Sequence, residues 1–477
     1  MSEPEIQRIS LKHVLSDDPI SQVVGLLISL LTVLLLGILG LKLGIKITIF
    51  VLAALLGYFF FRGALFLTFL TFLALVSGML FFKFPLINHL YVNIGPGEIM
   101  VLIVAIFFLV LYFGKARIDP DPFKVPLLVI FSASLISLVN SAKMSVSIFV
   151  LVWMVIGYLL YRWMIQFGAD NVDRSFDFVI FIAAFFVILC VLHYSFSPYQ
   201  VEVMEKYKSV FAGRYAFILA GPNSMAGVIA TLFPVILLYI VIKRFPYKML
   251  WITVALIATF VLYITASRNG YIASALASIA AVSLITSRKY RIPAVLSILA
   301  IVLFFSIVIF PSIMMRVTTI FKFALDVSAL SRFILWQQAL SAVSDNFITG
   351  VGVGTFFYLP MSLNMSIAHN QLLNMLAETG VIGGAGYIIL LWFIFRSLIS
   401  TYVKEKRENN IKFLFSGSLI ASWIGFLFHN IFDGIWSAPH HTKEAMFFWL
   451  LLALTAICTR ETYQKAAGQV EREYLAH

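Results

Sequence analysis

The sequence predicts an all-α polytopic membrane protein of about fourteen transmembrane helices, with one large loop and two smaller ones on the non-cytoplasmic side. Three observations carry this. Hydrophobic residues make up 61% of the 477-residue chain, and the mean hydropathy is +0.99. Only 12% of residues are charged, against about 25% in a typical soluble domain. Apolar stretches long enough to span a bilayer recur along almost the whole length, separated by short polar turns. A soluble fold could not hide that much apolar surface, so lipid is the solvent for most of it.

Residues 1–20 are polar and carry both signs of charge. They lack the short basic start of a cleaved signal peptide and read as a cytoplasmic tail, with the first span as an uncleaved anchor. Spans are expected near 22–41, 45–61, 64–82, 97–114, 125–141, 145–165, 177–196, 216–242, 249–266, 270–287 and 292–312. Segment 21–312 thus holds the first eleven. A large loop follows at 313–379, then three spans near 380–400, 411–430 and 442–459, and a second cytoplasmic tail at 460–477. With the N-terminus inside, most of the 34 basic residues fall on the inner side. They include Lys115, Arg117, Lys243, Arg244, Lys248, Lys404, Lys406 and Arg407. The other orientation reverses that bias.

The net charge of +12 suits anionic headgroups and inner helix ends better than a nucleic-acid partner. Cys190 and Cys458 each sit in an apolar run, so neither a disulfide framework nor a metal site is expected from them. The sequence assigns no oligomeric state.

The outer segments carry few basic residues, so each one there requires a reason. Arg214 precedes Gly221-Pro222-Asn223. Arg268 lies in the tight turn Thr265-Ala266-Ser267-Arg268-Asn269. Arg332 opens Ser331-Arg332-Phe333-Ile334-Leu335-Trp336 in the large loop. A guanidinium at the outer interface can hold a diphosphate by paired hydrogen bonds, or simply reach the headgroups. Ser331–Val343 reads as a helix, with Phe333, Trp336 and Leu340 on one face and Trp336 one turn after Arg332; an interfacial helix lying on the bilayer has this pattern. Gly350-Val351-Gly352-Val353-Gly354 lacks the strand–helix context of a nucleotide loop and reads as a tight turn.

The sharpest segment runs from His369 to Gly380. On a helix, His369, Leu373, Leu376 and Gly380 share a face, and Asn370, Asn374 and Glu378 form a polar stripe beside it. Such a stripe entering a membrane is expected to line a cavity or the protein interior. His369 can act as a general base or a hydrogen-bond donor. His429, Asp433, His440, His441 and Glu444 form a second polar group, read as cavity lining or, less well, as a metal site.

Taken in order, Gly221-Pro222-Asn223, Thr265-x-Ser267-Arg268, Ser331-Arg332 with Trp336, Gly350 to Phe356, and His369-Asn370 through Gly380 resemble the O-antigen ligase and O-antigen polymerase superfamily. The resemblance covers roughly residues 210–385. It implies a GT-C-like membrane glycosyltransferase of the cell inner membrane, with both termini cytoplasmic and the active site facing the periplasm. It implies an undecaprenyl-diphosphate-linked glycan donor, no cofactor or nucleotide sugar and, for ligases, no required metal. Its diphosphate-binding arginines map to Arg268 and Arg332, with Arg214 as a third, and its essential loop histidine maps to His369. Asn370, Glu378, Asn223 and Trp336 are expected to support the cavity.

Ligase-type transfer to a lipid A-core or similar acceptor is the expected reaction, by one inverting displacement. The alternative is a polymerase that joins lipid-linked repeat units. A lipid-linked glycan transporter belongs to another class, and it would usually carry ionisable residues at mid-membrane for coupling. Here most charges sit at the span ends.

Overall fold

The structure is a computed structural model that describes residues 54–55, 58, 63–81, 96–113, 121–168, 172–196, 221–287, 289–293, 295–296, 327–359, 367–434 and 444–460. Every regular element among them is a helix. In chain order these are α1 (Gly63–Phe81), α2 (Pro96–Phe113), α3 (Lys124–Ile136, running into a 3₁₀ turn at Ser137–Asn140) and α4 (Met144–Gly168). Then come α5 (Val172–Phe196), α6 (Pro222–Ile242), α7 (Tyr247–Thr265) and α8 (Arg268–Ile285). They are followed by α9 (Val327–Asp345), α10 (Gln371–Arg407), α11 (Lys412–Ile431) and α12 (444–460). A helix therefore lies in each expected segment from 64–82 through 270–287 and in the last three. Seven of the described helices are long and apolar enough to cross a membrane, so the chain is a multi-pass membrane protein. The expected spans 22–41, 45–61 and 292–312 lie wholly or mostly outside the described residues.

α6, α8 and α11 pack against one another and form the centre. α8 has the sequence RNGYIASALASIAAVSLI, and its buried face is Ala273, Ala277 and Ala281. Small residues let backbones approach closely where there is no hydrophobic drive between helices. A Cβ at Gly425 would stand 2.9 Å from Ala277 Cβ and 2.8 Å from Ala230 O, so a side chain there would push α11 off both neighbours. Two buried tryptophans have satisfied indoles: Trp163 Nε1 donates to Thr68 Oγ1 at 2.8 Å, and Trp423 Nε1 to Thr455 Oγ1 at 2.9 Å.

α10 packs along α3 on one side and α11 on the other, antiparallel to both. Its backbone breaks at Gly380 (φ 69°, ψ −175°). The break frees the carbonyls of Ala377 and Glu378 from helical partners, and the glycine loop supplies new ones. Val351 N donates to Ala377 O at 2.9 Å and Gly352 N to Glu378 O at 3.0 Å, while Val381 N turns to Phe347 O at 2.8 Å. Gly350, Gly352 and Gly354 all have positive φ, which only glycine adopts without strain. The loop is thus a turn fitted to a broken helix.

The start of α6, the start of α8, the start of α10 and the end of α11 meet at one end of the bundle, beside α9. Lys243, Lys404, Lys406, Arg407 and Lys412 gather at the other. Asp121 is also at that far end, because it precedes α3, which runs antiparallel to α10. It is 9% exposed and accepts from Phe123 N (2.9 Å), Tyr158 OH (3.1 Å) and Tyr161 OH (2.6 Å), with Arg162 Nη1 at 3.5 Å.

Candidate active site

Asn370 builds the site. As N-cap of α10 its side chain accepts from Leu373 N at 3.0 Å, satisfying one orphan amide of the first turn. Its Nδ2 donates to Ile431 O at 3.1 Å, an orphan carbonyl at the end of α11. One side chain thus ties the start of one helix to the end of the next. Asn269 does the same from α8, donating from Nδ2 to His429 O at 2.7 Å. Ser267 caps α8 by accepting from Gly270 N (3.2 Å) and donates from Oγ to Asn223 Oδ1 at 3.0 Å, which joins the start of α6.

His369 differs from the expectation that placed it on a helix face with Leu373, Leu376 and Gly380. Capping by Asn370 starts the helix at Gln371, and His369 stands just outside it with φ +50°. Its ring, 22% exposed, places Nδ1 3.2 Å from Asp433 Oδ1. Asp433 follows the end of α11 and is 3% exposed; Gly434 N also donates to its Oδ1, at 2.9 Å. His429 Nε2 lies 4.0 Å from Asp433 Oδ2. The sequence placed Asp433 in a separate polar group from His369. The i, i+4 spacing of His429 and Asp433 was legible, but the pairing across 64 residues was not. Among the described residues no three His, Cys, Asp or Glu side chains are grouped so as to hold a metal ion. His440, His441 and Arg214 lie outside the described residues.

Arg268 opens α8 beside Ser267 and Asn269 and is half-buried. Arg332 is half-buried on α9, close enough to act electrostatically on the His429 ring, as does His369. Trp336, one turn on, packs edge-on to Phe333 (5.5 Å) and tilted against Phe432 (6.2 Å), the neighbour of Asp433. The face of α9 that turns to the protein is Leu335, Ala339 and Ala342, packed on Val351, Phe356, Ala368 and Ala377. Phe333 and Leu340, the expected apolar face, are exposed, and the sequence reading had not separated the two.

The polar stripe of α10 is turned into the protein rather than an opening. Asn374, fully buried, accepts from Ala368 N at 3.0 Å and so braces the backbone before His369. Glu378, also fully buried, accepts from Phe356 N at 3.3 Å and braces the glycine loop. Both act on the positions of loops.

This constellation is one histidine held by a carboxylate, two arginines, and the amino ends of α6, α8 and α10. Such an arrangement suits proton transfer next to an anion, since helix amino ends and guanidinium groups both favour negative charge. Residues 253–388 match the family described as O-Antigen ligase. The matched segment contains Arg268, Arg332, the glycine loop, His369 and Asn370; Asn223, His429 and Asp433 lie outside it. The match spans 253–388 of the 477 residues and makes that segment similar to the O-antigen ligase and polymerase superfamily, whose members are glycosyltransferase-like enzymes. No curated protein matches the chain.

Proposed function

We propose that the chain is an inner-membrane glycosyltransferase that moves a glycan from an undecaprenyl-diphosphate donor to a lipid A-core or similar acceptor at the periplasmic face. The observation that carries this reading is the His369–Asp433 pair, whose histidine lies with Arg332 and the start of α8 inside the family-matched region.

The chemistry follows from the groups. Asp433 holds Nδ1 of His369 and favours the tautomer with its proton there, which leaves the Nε2 lone pair for the acceptor hydroxyl. That oxygen attacks the anomeric carbon as its proton passes to Nε2. The bond from the anomeric carbon to the diphosphate oxygen breaks, and undecaprenyl diphosphate departs. Arg268 and Arg332 stabilise the charge that grows on it, with Arg214 as a further ligand. A single displacement inverts the anomeric centre. Energy comes from the glycosyl–diphosphate bond, and no nucleotide is required. Most cations at the far end of the bundle belong, in this reading, to the cytoplasmic side.

The test supplies purified protein in liposomes with undecaprenyl-diphosphate-linked glycan, with and without lipid A-core, and no nucleotide. Glycan on the lipid A-core supports the ligase reading. Longer glycan still on undecaprenyl diphosphate replaces it with polymerisation. A donor left unchanged in both overturns glycosyl transfer.

A further inference from the structure

His429 is a fully buried histidine in the last turn of α11. Neither ring nitrogen makes a hydrogen bond of full geometry among the described residues; the backbone of Asn223 on α6 is a polar neighbour of the ring, and a buried polar group so weakly held requires an explanation. The ring is wedged against α6, where a Cβ on Gly227 would fall 2.7 Å from its Cε1 and Nδ1. Its backbone is held too, since its carbonyl accepts from Asn269 at 2.7 Å. A fixed ring therefore presents Nε2 to Asp433 Oδ2 at 4.0 Å. That gap is too long for a hydrogen bond and too short to admit a bridging water.

We infer that His429 is a positioning residue that acts through Asp433, donating from Nε2–H to Oδ2 and so fixing the carboxylate that orients His369. The carboxylate then lies between two imidazoles, one buried and one 22% exposed. Arg332 from α9 and His369 from the loop are the other charged or titratable groups acting on the His429 ring. Arg268 begins the helix whose Asn269 holds the His429 backbone. The inference rests on the reading of His369 as the base, but its physical content is the tautomer of that ring. A carboxylate held more firmly keeps the His369 proton on Nδ1, whereas one held less firmly lets it distribute between both nitrogens.

The experiment measures how fast diethylpyrocarbonate acylates His369, by peptide mass spectrometry of the full-length protein at one fixed alkaline pH. His429→Leu removes the donor, and His429→Gln keeps an N–H donor at the reach of Nε2. Slower acylation of His369 in the Leu variant, with the wild-type rate in the Gln variant, is the expected result. Asp433→Asn serves as the positive control for slowing. A wild-type rate in His429→Leu, or equal slowing in Leu and Gln, overturns the inference. If the Leu variant does not reach the membrane, His429→Met takes its place under the same criteria. Because the readout is acylation, it is independent of transfer. A protein that shows this pattern and yet transfers no glycan keeps the positioning role and loses the glycosyltransferase reading.

Discussion

Asp121 and Asp433 are buried carboxylates at opposite ends of the bundle, and their partners differ in kind. Asp121 is held by two phenols, a backbone amide and a guanidinium. Tyrosine and arginine ordinarily keep their protons throughout the physiological range. Asp433 is held by a backbone amide and His369, and faces His429. Imidazoles take up and release protons near neutral pH. The first cluster fastens the segment before α3 to α4. The second joins a carboxylate to imidazoles, and one of them, His369, reaches the surface. Burial alone does not mark a functional carboxylate; the chemistry of its partners does.

Four predictions would break or sharpen this contrast. The largest effect belongs to His369→Ala, which should cut transfer by about 10²–10⁴-fold, the usual worth of a general base, while the protein still reaches the membrane. A rate near wild type in the reconstituted assay would remove His369 from the chemistry. Next, the two aspartates should separate cleanly. Asp121→Asn should lower unfolding stability by about 3 kcal/mol, as for other broken buried pairs. Asp433→Asn should leave the melting temperature nearly unchanged and reduce transfer by about 10²-fold. Thermal melts and turnover measured on the same two preparations decide this, and matching phenotypes would erase the distinction.

A smaller loss is expected from exchanging the arginine fork for a point charge. Arg268→Lys and Arg332→Lys should each cost about tenfold in kcat/KM for the lipid-linked donor. Donor titrations that show no change would exclude paired hydrogen bonds to the diphosphate. The smallest effect is Asn370→Ala. It removes a helix cap worth about 1 kcal/mol along with the tie to Ile431 O. A modest drop in melting temperature should accompany a weaker grip of Asp433 on His369, visible as slower turnover. If transfer is untouched, the cap does not set the spacing of the two loops.

Much of the site was legible because its signals are local. Arg268, Arg332 and His369 stood out as polar residues in outer loops of a chain with few charges. Asn370 was visible as a polar residue at the start of a helical stretch, yet its capping role was missed, and with it the placement of His369. The glycine loop was recognised as a turn. What it turns against, the carbonyls exposed by the break at Gly380, was not, because both halves of that contact are needed to see it. Glu378 illustrates the same limit. Its spacing from Asn370 and Asn374 is readable, but the loop that fills the space in front of it is not.

The sequence by itself determined that this chain lives in a membrane as a series of helices, because apolar length and sparse charge leave no other way to satisfy the backbone in lipid. It also singled out the few polar residues that are candidates for chemistry, and roughly which end of the bundle they occupy. Only the tertiary structure decided that His369 stands off its helix, that Asp433 is its partner, and that α9 buries Leu335 and exposes Phe333. Composition and periodicity constrain neighbours in sequence. The pairing of groups 64 residues apart depends on which helix ends meet, and that is set by the close packing of small residues on α6, α8 and α11.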